Sequence, residues 1–303
     1  MKRIEKFFVR LVVLVFVLGA GSTAVRSQTP LSQIPPQPAD APTLWKNLIG
    51  IYASPQDTLY VAENNNHLFV VTKALHYVML SEDAGGLYVF NNERLFGETA
   101  LRFASNGTSR PTSLTIGGVT FQRLILRDES GTSFRIKPLK SVDELRAVAL
   151  AANPPTEDGD FLKPDLVDLS TLDSTIKFDI RYATTNNFIG EKFYSQAKAF
   201  LQRPAAEGLL RAHLWLKKLG FGLLIHDAYR PWYVTKMFWD ATPDDKKIFV
   251  ANPSQGSRHN RGCAVDLTLY DLKTGKQVEM TGGYDEMSER SYPSYPGGTS
   301  LER

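Results

Sequence analysis

Apolar and polar positions alternate with a period of two through much of the first half of the chain, from Trp45 to about Lys140. Such alternation is typical of β-strands that bury one face. Turn clusters rich in Asn and Gly separate the alternating stretches, at 64–66, 83–86, 105–107 and 117–118. The pattern predicts about eight short antiparallel strands. Because closure removes exposed strand edges, we expect a small barrel or a sandwich over residues 44–140.

Helical signals begin at residue 141. Ser141 and Glu144 have the spacing of a capping box, which predicts a short helix to about Ala152 within a helical linker at 141–164. Beyond it the two periodicities mix, with strands predicted at 175–181, 222–226 and 264–269, and helices at 204–219 and from 242 onward. The predicted fold is therefore α+β, a small antiparallel β-domain followed by an α+β domain at 165–303.

The first 27 residues have the order of a secretory signal peptide: a basic start, the apolar run 11–20, and small residues at 21–24. The uncharged span 11–25 holds 15 residues, fewer than the roughly 18–20 that cross a bilayer, which argues against a membrane anchor. We expect an exported protein, periplasmic or secreted, with no membrane span in the mature chain. Residues 28–43 contain five prolines and predict an extended linker.

Composition narrows the function classes. The 303 residues carry a formal charge of +3, but without residues 1–27 the chain has 30 basic and 31 acidic residues. A near-neutral chain lacks the basic footprint of a nucleic-acid-binding protein, so we expect no nucleic-acid partner. Cys263 is the single cysteine, which excludes an intrachain disulfide. Stability must then come from packing or from a metal ion.

A first candidate site lies around the predicted strand at 264–269. His259 precedes Asp266 by seven residues, and Asp266 stands between apolar neighbours. Burying a carboxylate there is costly unless a cation compensates it. Zinc is one such cation, because imidazole nitrogen and carboxylate oxygen are among its usual ligands. Two alternatives remain open: Asp266 pairs with an arginine while His259 is a loop residue, or Cys263 is a ligand.

A second candidate follows the predicted strand at 222–226, where Asp227, Tyr229 and Arg230 precede Pro231. Site residues concentrate where strands end in loops. The permanent charge of Arg230 suits it to stabilise a developing oxyanion. A structural pairing of Arg230 with Asp227 is equally compatible with the sequence.

These segments together resemble a known family. The pattern Ser-x-His-x-x-Gly-x-Ala-x-Asp at 257–266, with the segments 179–188, 227–231 and 284–290 in the same order, is similar to the D-alanyl-D-alanine dipeptidases, a family of zinc peptidases. The resemblance covers about residues 165–303. It implies hydrolysis of the dipeptide D-Ala-D-Ala in the cell envelope, with one zinc ion per chain.

The resemblance also implies roles for individual residues. His259 and Asp266 match two of the three zinc ligands, and Arg230 matches the arginine that stabilises the tetrahedral intermediate. Tyr182, Ser257 and Asp285 fall where the family holds the dipeptide, and Asp285 and Ser257 suit its ammonium group. A small sheet with flanking helices is the fold implied.

One family element is missing from the printed sequence. The third zinc ligand and the general base come from a Glu-x-x-His element after the Asp, yet none of the five histidines follows Asp266. We therefore expect a C-terminally truncated chain that is inactive in this form. The alternatives are a related peptidoglycan D,D- or L,D-peptidase and an inactive envelope-binding module. The role of the β-domain stays open between ligand holding, cell-wall targeting and scaffolding.

Overall fold

The computed structural model describes residues 37–83, 87–90, 93–107, 109–125 and 134–303. The predicted signal peptide at 1–27 and most of the proline-rich linker lie outside these residues. A short helix α1 (Thr43–Leu48) comes first. Residues 38–303 belong to one compact unit.

The alternating region folds into a closed barrel of eight antiparallel strands. The strands are β1 (Gly50–Ala53), β2 (Thr58–Asn64), β3 (His67–Thr72), β4 (Tyr77–Glu82), β5 (Leu87–Phe90), β6 (Ala100–Ala104), β7 (Ser113–Ile116) and β8 (Val119–Arg123). Pairing of β1 with β8, with Tyr52 opposite Arg123, closes the ring. The predicted strand count and the barrel alternative are confirmed.

Side chains fill the barrel interior according to the predicted alternation. On β2, Leu59 and Val61 point inward and are fully buried, together with Leu68 and Val70 on β3. The turn between β2 and β3 uses Asn65 and Asn66, both at positive φ (48° and 62°). Two such residues form the tight turn whose twist matches the flanking strands. The barrel is therefore a packed core.

Helix α2 (Val142–Ala151) begins where the capping signal predicts it. Ser141 accepts a hydrogen bond from the backbone N–H of Glu144, which satisfies one of the free donors at the helix start. The helix buries Leu145 and Ala149 in an apolar cluster that also holds Phe238.

The remaining elements are short. They are β9 (Leu166–Asp168), β10 (Lys177–Phe178), β11 (Phe200–Gln202), α3 (Arg203–Lys217), β12 (Phe221–Asp227), α4 (Trp232–Ala241) and β13 (Asp266–Asp271). Strand β12 is the centre of a three-stranded sheet, parallel to β10 and antiparallel to β13, while β9 pairs with β11. The mixed α and β composition of this region agrees with the predicted fold class.

Three predicted boundaries are wrong. The strand expected at 175–181 is only the two residues of β10. Where a helix was expected from Thr242 onward, α4 instead starts after Pro231 and ends at Ala241, and residues 244–249 form only a 3-10 helix. Pro231 presets the backbone for a helix start, and Pro243 prevents continuation. The third strand runs over Asp266–Asp271 rather than 264–269, so Asp266 begins the strand.

Among the residues that the structure describes, none of the helices combines the length and the apolar character needed to span a bilayer.

Candidate active site

The candidate site forms where the central strand β12 ends. A β-bulge interrupts the pairing between β12 and β13 at Ile225 and Asp227, so that Asp227 lies opposite Asp266, the first residue of β13. A bulge re-aims side chains at the end of a strand. The two carboxylates are thereby brought to one end of the sheet.

Asp227 holds Arg230 in place. The Nε and Nη2 atoms of Arg230 donate to Oδ2 of Asp227 at 2.9 and 2.7 Å, and the Tyr194 hydroxyl donates to Oδ1 at 2.7 Å. Asp227 is fully buried and Arg230 is 8% exposed. The guanidinium also lies 5.1 and 5.0 Å from the ring centres of Tyr182 and Phe238. Its position is therefore fixed by a charge pair and by two aromatic faces.

The turn that carries His259 is hydrogen-bonded to the residues that follow β12. His259 accepts a backbone hydrogen bond from Arg230 N–H, and the Asn260 amide donates to the Arg230 carbonyl at 2.9 Å. Ring atom Nδ1 of His259 lies 2.7 Å from the carbonyl oxygen of Ala228. When Nδ1–H of a neutral imidazole donates to a carbonyl, Nε2 keeps a free lone pair that can bind a metal ion.

Gly262 and Ser257 shape this turn. Gly262 has φ of +66°, and a Cβ there would lie 2.8 Å from a methyl carbon of Leu166. Both the backbone conformation and the close approach require glycine. The hydroxyl of Ser257 accepts a hydrogen bond from the backbone N–H of His259. The spacing of Ser257, His259 and Gly262 is thus that of a tight turn that presents the imidazole.

His259 and Asp266 face each other. Nε2 of His259 lies 3.4 Å from Oδ1 of Asp266, while Oδ2 lies 3.5 Å from Nη2 of Arg230 and 3.3 Å from the Tyr284 hydroxyl. Burial alone would raise the pKa of Asp266, but His259, together with Arg230 and the Tyr284 hydroxyl, outweighs burial and lowers this pKa. Burial alone would lower the pKa of His259, but Asp266 reverses that effect and raises it.

The sequence left two arginine pairings open, one with Asp227 and one with Asp266, and the structure shows a contact for each. Arg230 pairs with Asp227 and also approaches Asp266. The side chain of Asp266 is 34% exposed and Leu267 is exposed, so the carboxylate is less dehydrated than a mid-strand position would make it. The third alternative loses support, because Cys263 is exposed and its thiol lies near the Arg261 carbonyl.

Asp285 lies on a turn beside the same aromatic cluster. The hydroxyl of the buried Tyr182 donates to Oδ2 of Asp285 at 2.7 Å. Burial, with the negative charge of Asp266, raises the pKa of Asp285 to about 7. Asp285 has φ of +54°, a left-handed conformation that is uncommon for a residue other than glycine. Asp285 is thus a partly buried carboxylate on an uncommon backbone conformation, and its protonated form is favoured by burial.

Asp227, His259 and Asp266 form a cluster whose ligand atoms lie within 4.8 Å of one another. The oxygens of Asp227 already accept three hydrogen bonds from Tyr194 and Arg230. The separation of 3.4 Å between Nε2 of His259 and Oδ1 of Asp266 is longer than a normal hydrogen bond. It is close to the separation of about 3.3 Å that two ligands at zinc distances make in a tetrahedron. His259 and Asp266 therefore fit a zinc ion, and Asp227 serves Arg230.

The role of Asn260 was missed in the sequence, whereas the pairing of Arg230 with Asp227 was one of its alternatives. Asn260 bridges the two loops through its amide, which donates to the Arg230 carbonyl and to the Thr235 hydroxyl. An Asn in a turn carries no local sign of such a bridge. The proximity of Asp227 to Arg230 in the sequence was the available signal for their pairing.

Comparison with known proteins places this arrangement in a class. A family profile described as D-ala-D-ala dipeptidase matches residues 163–303. The chain is 37% identical to a D-alanyl-D-alanine dipeptidase of Escherichia coli over 132 residues, 44% of this chain and 67% of that protein. It is 34% identical to a D-alanyl-D-alanine dipeptidase of Enterococcus faecalis over 140 residues, 40% of this chain and 69% of that protein.

A D-alanyl-D-alanine dipeptidase of Streptomyces coelicolor is 34% identical over 146 residues, 42% of this chain and 72% of that protein. The region that carries the site is thus that of a peptidase. The chain belongs to the D-alanyl-D-alanine dipeptidase family. This confirms the resemblance found in the sequence.

Proposed function

We propose that the protein is a zinc-dependent dipeptidase that hydrolyses D-Ala-D-Ala in the cell envelope. The observation that carries the zinc assignment is the separation of 3.4 Å between Nε2 of His259 and Oδ1 of Asp266, with Nδ1 of the same ring engaged by a carbonyl. Bound there, zinc would act as a Lewis acid and lower the pKa of a coordinated water. His259 and Asp266 are assigned as two of its ligands.

Arg230 is assigned to the oxyanion that develops on the scissile carbonyl. Its Nε and Nη2 atoms are held by Asp227, and Nη1 is the guanidinium nitrogen that this carboxylate does not engage. A guanidinium held in advance stabilises developing charge without having to reorient during the reaction. Tyr194 and Asp227 are positioning residues for Arg230.

Asp285, Tyr182 and Ser257 are assigned to dipeptide binding. A carboxylate with a pKa of about 7 gains a charge partner when an ammonium group approaches, which favours its ionised form. Tyr182 orients the carboxylate through its hydroxyl. The Ser257 oxygen already accepts one hydrogen bond from His259 N–H and keeps a second lone pair for the ammonium.

An envelope location is part of the same proposal. Its support is the order of basic, apolar and small residues at 1–27, which is that of a secretory signal peptide. A fusion of residues 1–27 to a reporter that is active only after export tests it, and a reporter retained in the cytoplasm would contradict it.

The test of the zinc assignment uses protein made from the whole reading frame. We expect His259→Ala and Asp266→Ala each to empty the zinc site, measured by plasma mass spectrometry, because each removes a ligand. His67→Ala, at an exposed barrel position, is the control and should keep its zinc. Full zinc occupancy in both ligand variants would refute the assignment.

The oxyanion assignment is tested on the same protein. Arg230→Lys keeps the charge but loses the planar fork, so we expect kcat for D-Ala-D-Ala to fall about 100- to 1000-fold while zinc content stays unchanged. Release of D-alanine is followed with a coupled oxidase. An unchanged kcat would remove Arg230 from the chemistry.

A further inference from the structure

The barrel makes a specific contact with the chain segment that follows the turn of Asp285. Strand β1 pairs with β2 only as far as Gly50 opposite Val61, so β2 continues beyond its neighbour. Gly298 occupies that place: its carbonyl accepts a hydrogen bond from Glu63 N–H, and it forms a parallel bridge with Ala62. The segment 295–303 thus satisfies the free edge of β2.

A buried carboxylate on β2 fixes the register of this contact. Glu63 is 1% exposed, and its oxygens accept hydrogen bonds from the backbone N–H and hydroxyl of Ser300 and from Asn66 N–H. The Arg303 guanidinium donates to the Glu63 carbonyl at 2.7 Å. A buried charge is tolerated only where its hydrogen bonds are satisfied. The segment 295–303 is therefore held in one register on the barrel.

Tyr60 is the second point of contact. Its ring packs edge-on against Tyr295 with ring centres 5.9 Å apart, in an apolar cluster with Ile51 and Val71 on the outer face of the barrel. Its hydroxyl donates to Oε2 of Glu289 at 2.6 Å. Strand β2 is thus buried on both faces, by the barrel core inside and by this segment outside.

Glu289 belongs to a loop that is closed on itself, residues 281–291, which we call the Asp285 loop. The buried Glu286 accepts hydrogen bonds from Gly283 N–H and from the Ser288 hydroxyl, and the Ser291 hydroxyl donates to the Glu286 carbonyl. The Arg290 guanidinium donates to the Thr281 carbonyl. Glu289 and Asp285 thus belong to one loop that is held together by its own hydrogen bonds.

We propose that the barrel is a positioning element for the substrate: Tyr60 holds Glu289, Glu63 holds residues 298–300, and together they fix the Asp285 loop against the site. This proposal rests on the proposed function, since it takes Asp285 as a group that binds the dipeptide. Asp285 has a left-handed backbone, and such a conformation persists only when its surroundings enforce it. The barrel contacts help to hold Asp285 in this conformation. Of the three roles left open for the barrel, this one is scaffolding.

The test removes the barrel contact and measures substrate binding in protein made from the whole reading frame. We expect Tyr60→Phe and Glu289→Ala each to raise KM for D-Ala-D-Ala about 3- to 10-fold, as loss of one partly solvated hydrogen bond of ordinary strength would. The kcat should stay within about twofold and zinc content should not change. The double variant should be no worse than either single variant, because both remove the same bond.

Tyr77→Phe is the matched control. Tyr77 is a tyrosine on the same barrel face that packs against Phe69, and loss of its hydroxyl should leave KM unchanged. Hydrogen–deuterium exchange provides a readout independent of catalysis. In Tyr60→Phe we expect faster exchange of amides in the Asp285 loop and unchanged exchange in the turn at 257–262.

The outcomes separate this proposal from the proposed function. Faster exchange confined to the Asp285 loop supports positioning by the barrel, even if the protein fails to cleave D-Ala-D-Ala. Unchanged exchange in that loop in both Tyr60→Phe and Glu289→Ala overturns it, as does a KM that matches the Tyr77→Phe control. A fall in kcat with an unchanged KM also overturns it, because the barrel would then act on the chemistry rather than on binding.

Discussion

The barrel and the site region are built by different interactions. The barrel is a closed ring of backbone hydrogen bonds around an apolar interior, with Leu59 and Val61 fully buried. The site region has a three-stranded sheet with strands as short as β10, of two residues. Its loops are held instead by polar side chains, among them Asp227 and Asn260. The barrel is stabilised mainly by apolar burial, whereas the site region combines apolar clusters around Phe238 and Ile225 with buried polar side chains that hold its loops.

This difference indicates which substitutions should destabilise each region most. An apolar core loses stability in proportion to the volume removed, and it tolerates changes of similar size. A buried polar network fails when one partner leaves, because the other then lies in a poor solvent without its hydrogen bonds. The site region should therefore be the more sensitive of the two to a single substitution.

The largest effect is expected from breaking the buried ion pair. Arg230→Met leaves Asp227 buried without its cation, which should lower the free energy of unfolding by about 3–5 kcal/mol. Adding Asp227→Asn should recover part of this loss, since burial already raises the pKa of Asp227 and favours a neutral group there. Urea denaturation of wild type, single and double variants measures both. A loss under about 1 kcal/mol would show that Asp227 is well solvated.

The next effect in size is expected from a truncation in the barrel core. Leu59→Ala removes a fully buried side chain and should cost about 2–5 kcal/mol, toward the lower end if the ring of strands relaxes. Leu124→Ala, at a side chain that is 41% exposed, should change stability by less than about 0.5 kcal/mol. Equal losses in the two variants would contradict the packed barrel core.

The smallest effect concerns Asp285 and depends on pH. Its pKa is raised to about 7, so between about pH 4 and pH 7 the folded protein binds one more proton than the unfolded chain, and stability falls as pH rises. Asp285→Asn removes this term. In chelator-treated protein the variant should be more stable than wild type by about 1–2 kcal/mol at pH 8, after allowance for partial exposure. The difference should vanish near pH 4; urea titrations at both values decide.

Local pattern was sufficient for the barrel but only partly for the site. Alternation along β2 and β3, the Asn65-Asn66 turn and the Ser141 cap are signals carried by neighbouring residues, and each predicts the element found. The start of α4 was missed, although its buried residues Val234, Met237, Phe238 and Ala241 have the i, i+3, i+4, i+7 spacing of one helix face.

The site's contacts join residues that are far apart in the sequence. His259, Asp266 and Arg230 were identifiable as candidates from their chemistry and the resemblance, and the fold brings these three together. The role of Asn260 as a bridge and the bond between Tyr60 and Glu289, 229 positions apart, leave no periodic trace. Such contacts depend on which loops meet after folding, which residue type alone does not determine.

The placement of Gly298 beside β2 also affects how the protein is made. The backbone N–H of Asn65 donates to the hydroxyl of Ser300, 235 positions later. During synthesis, the part of β2 that extends beyond β1 therefore lacks its partner until these later residues leave the ribosome. An unpaired strand edge is a template for pairing with other chains. This edge of β2 is therefore open to such pairing until residues 298–300 have been synthesised.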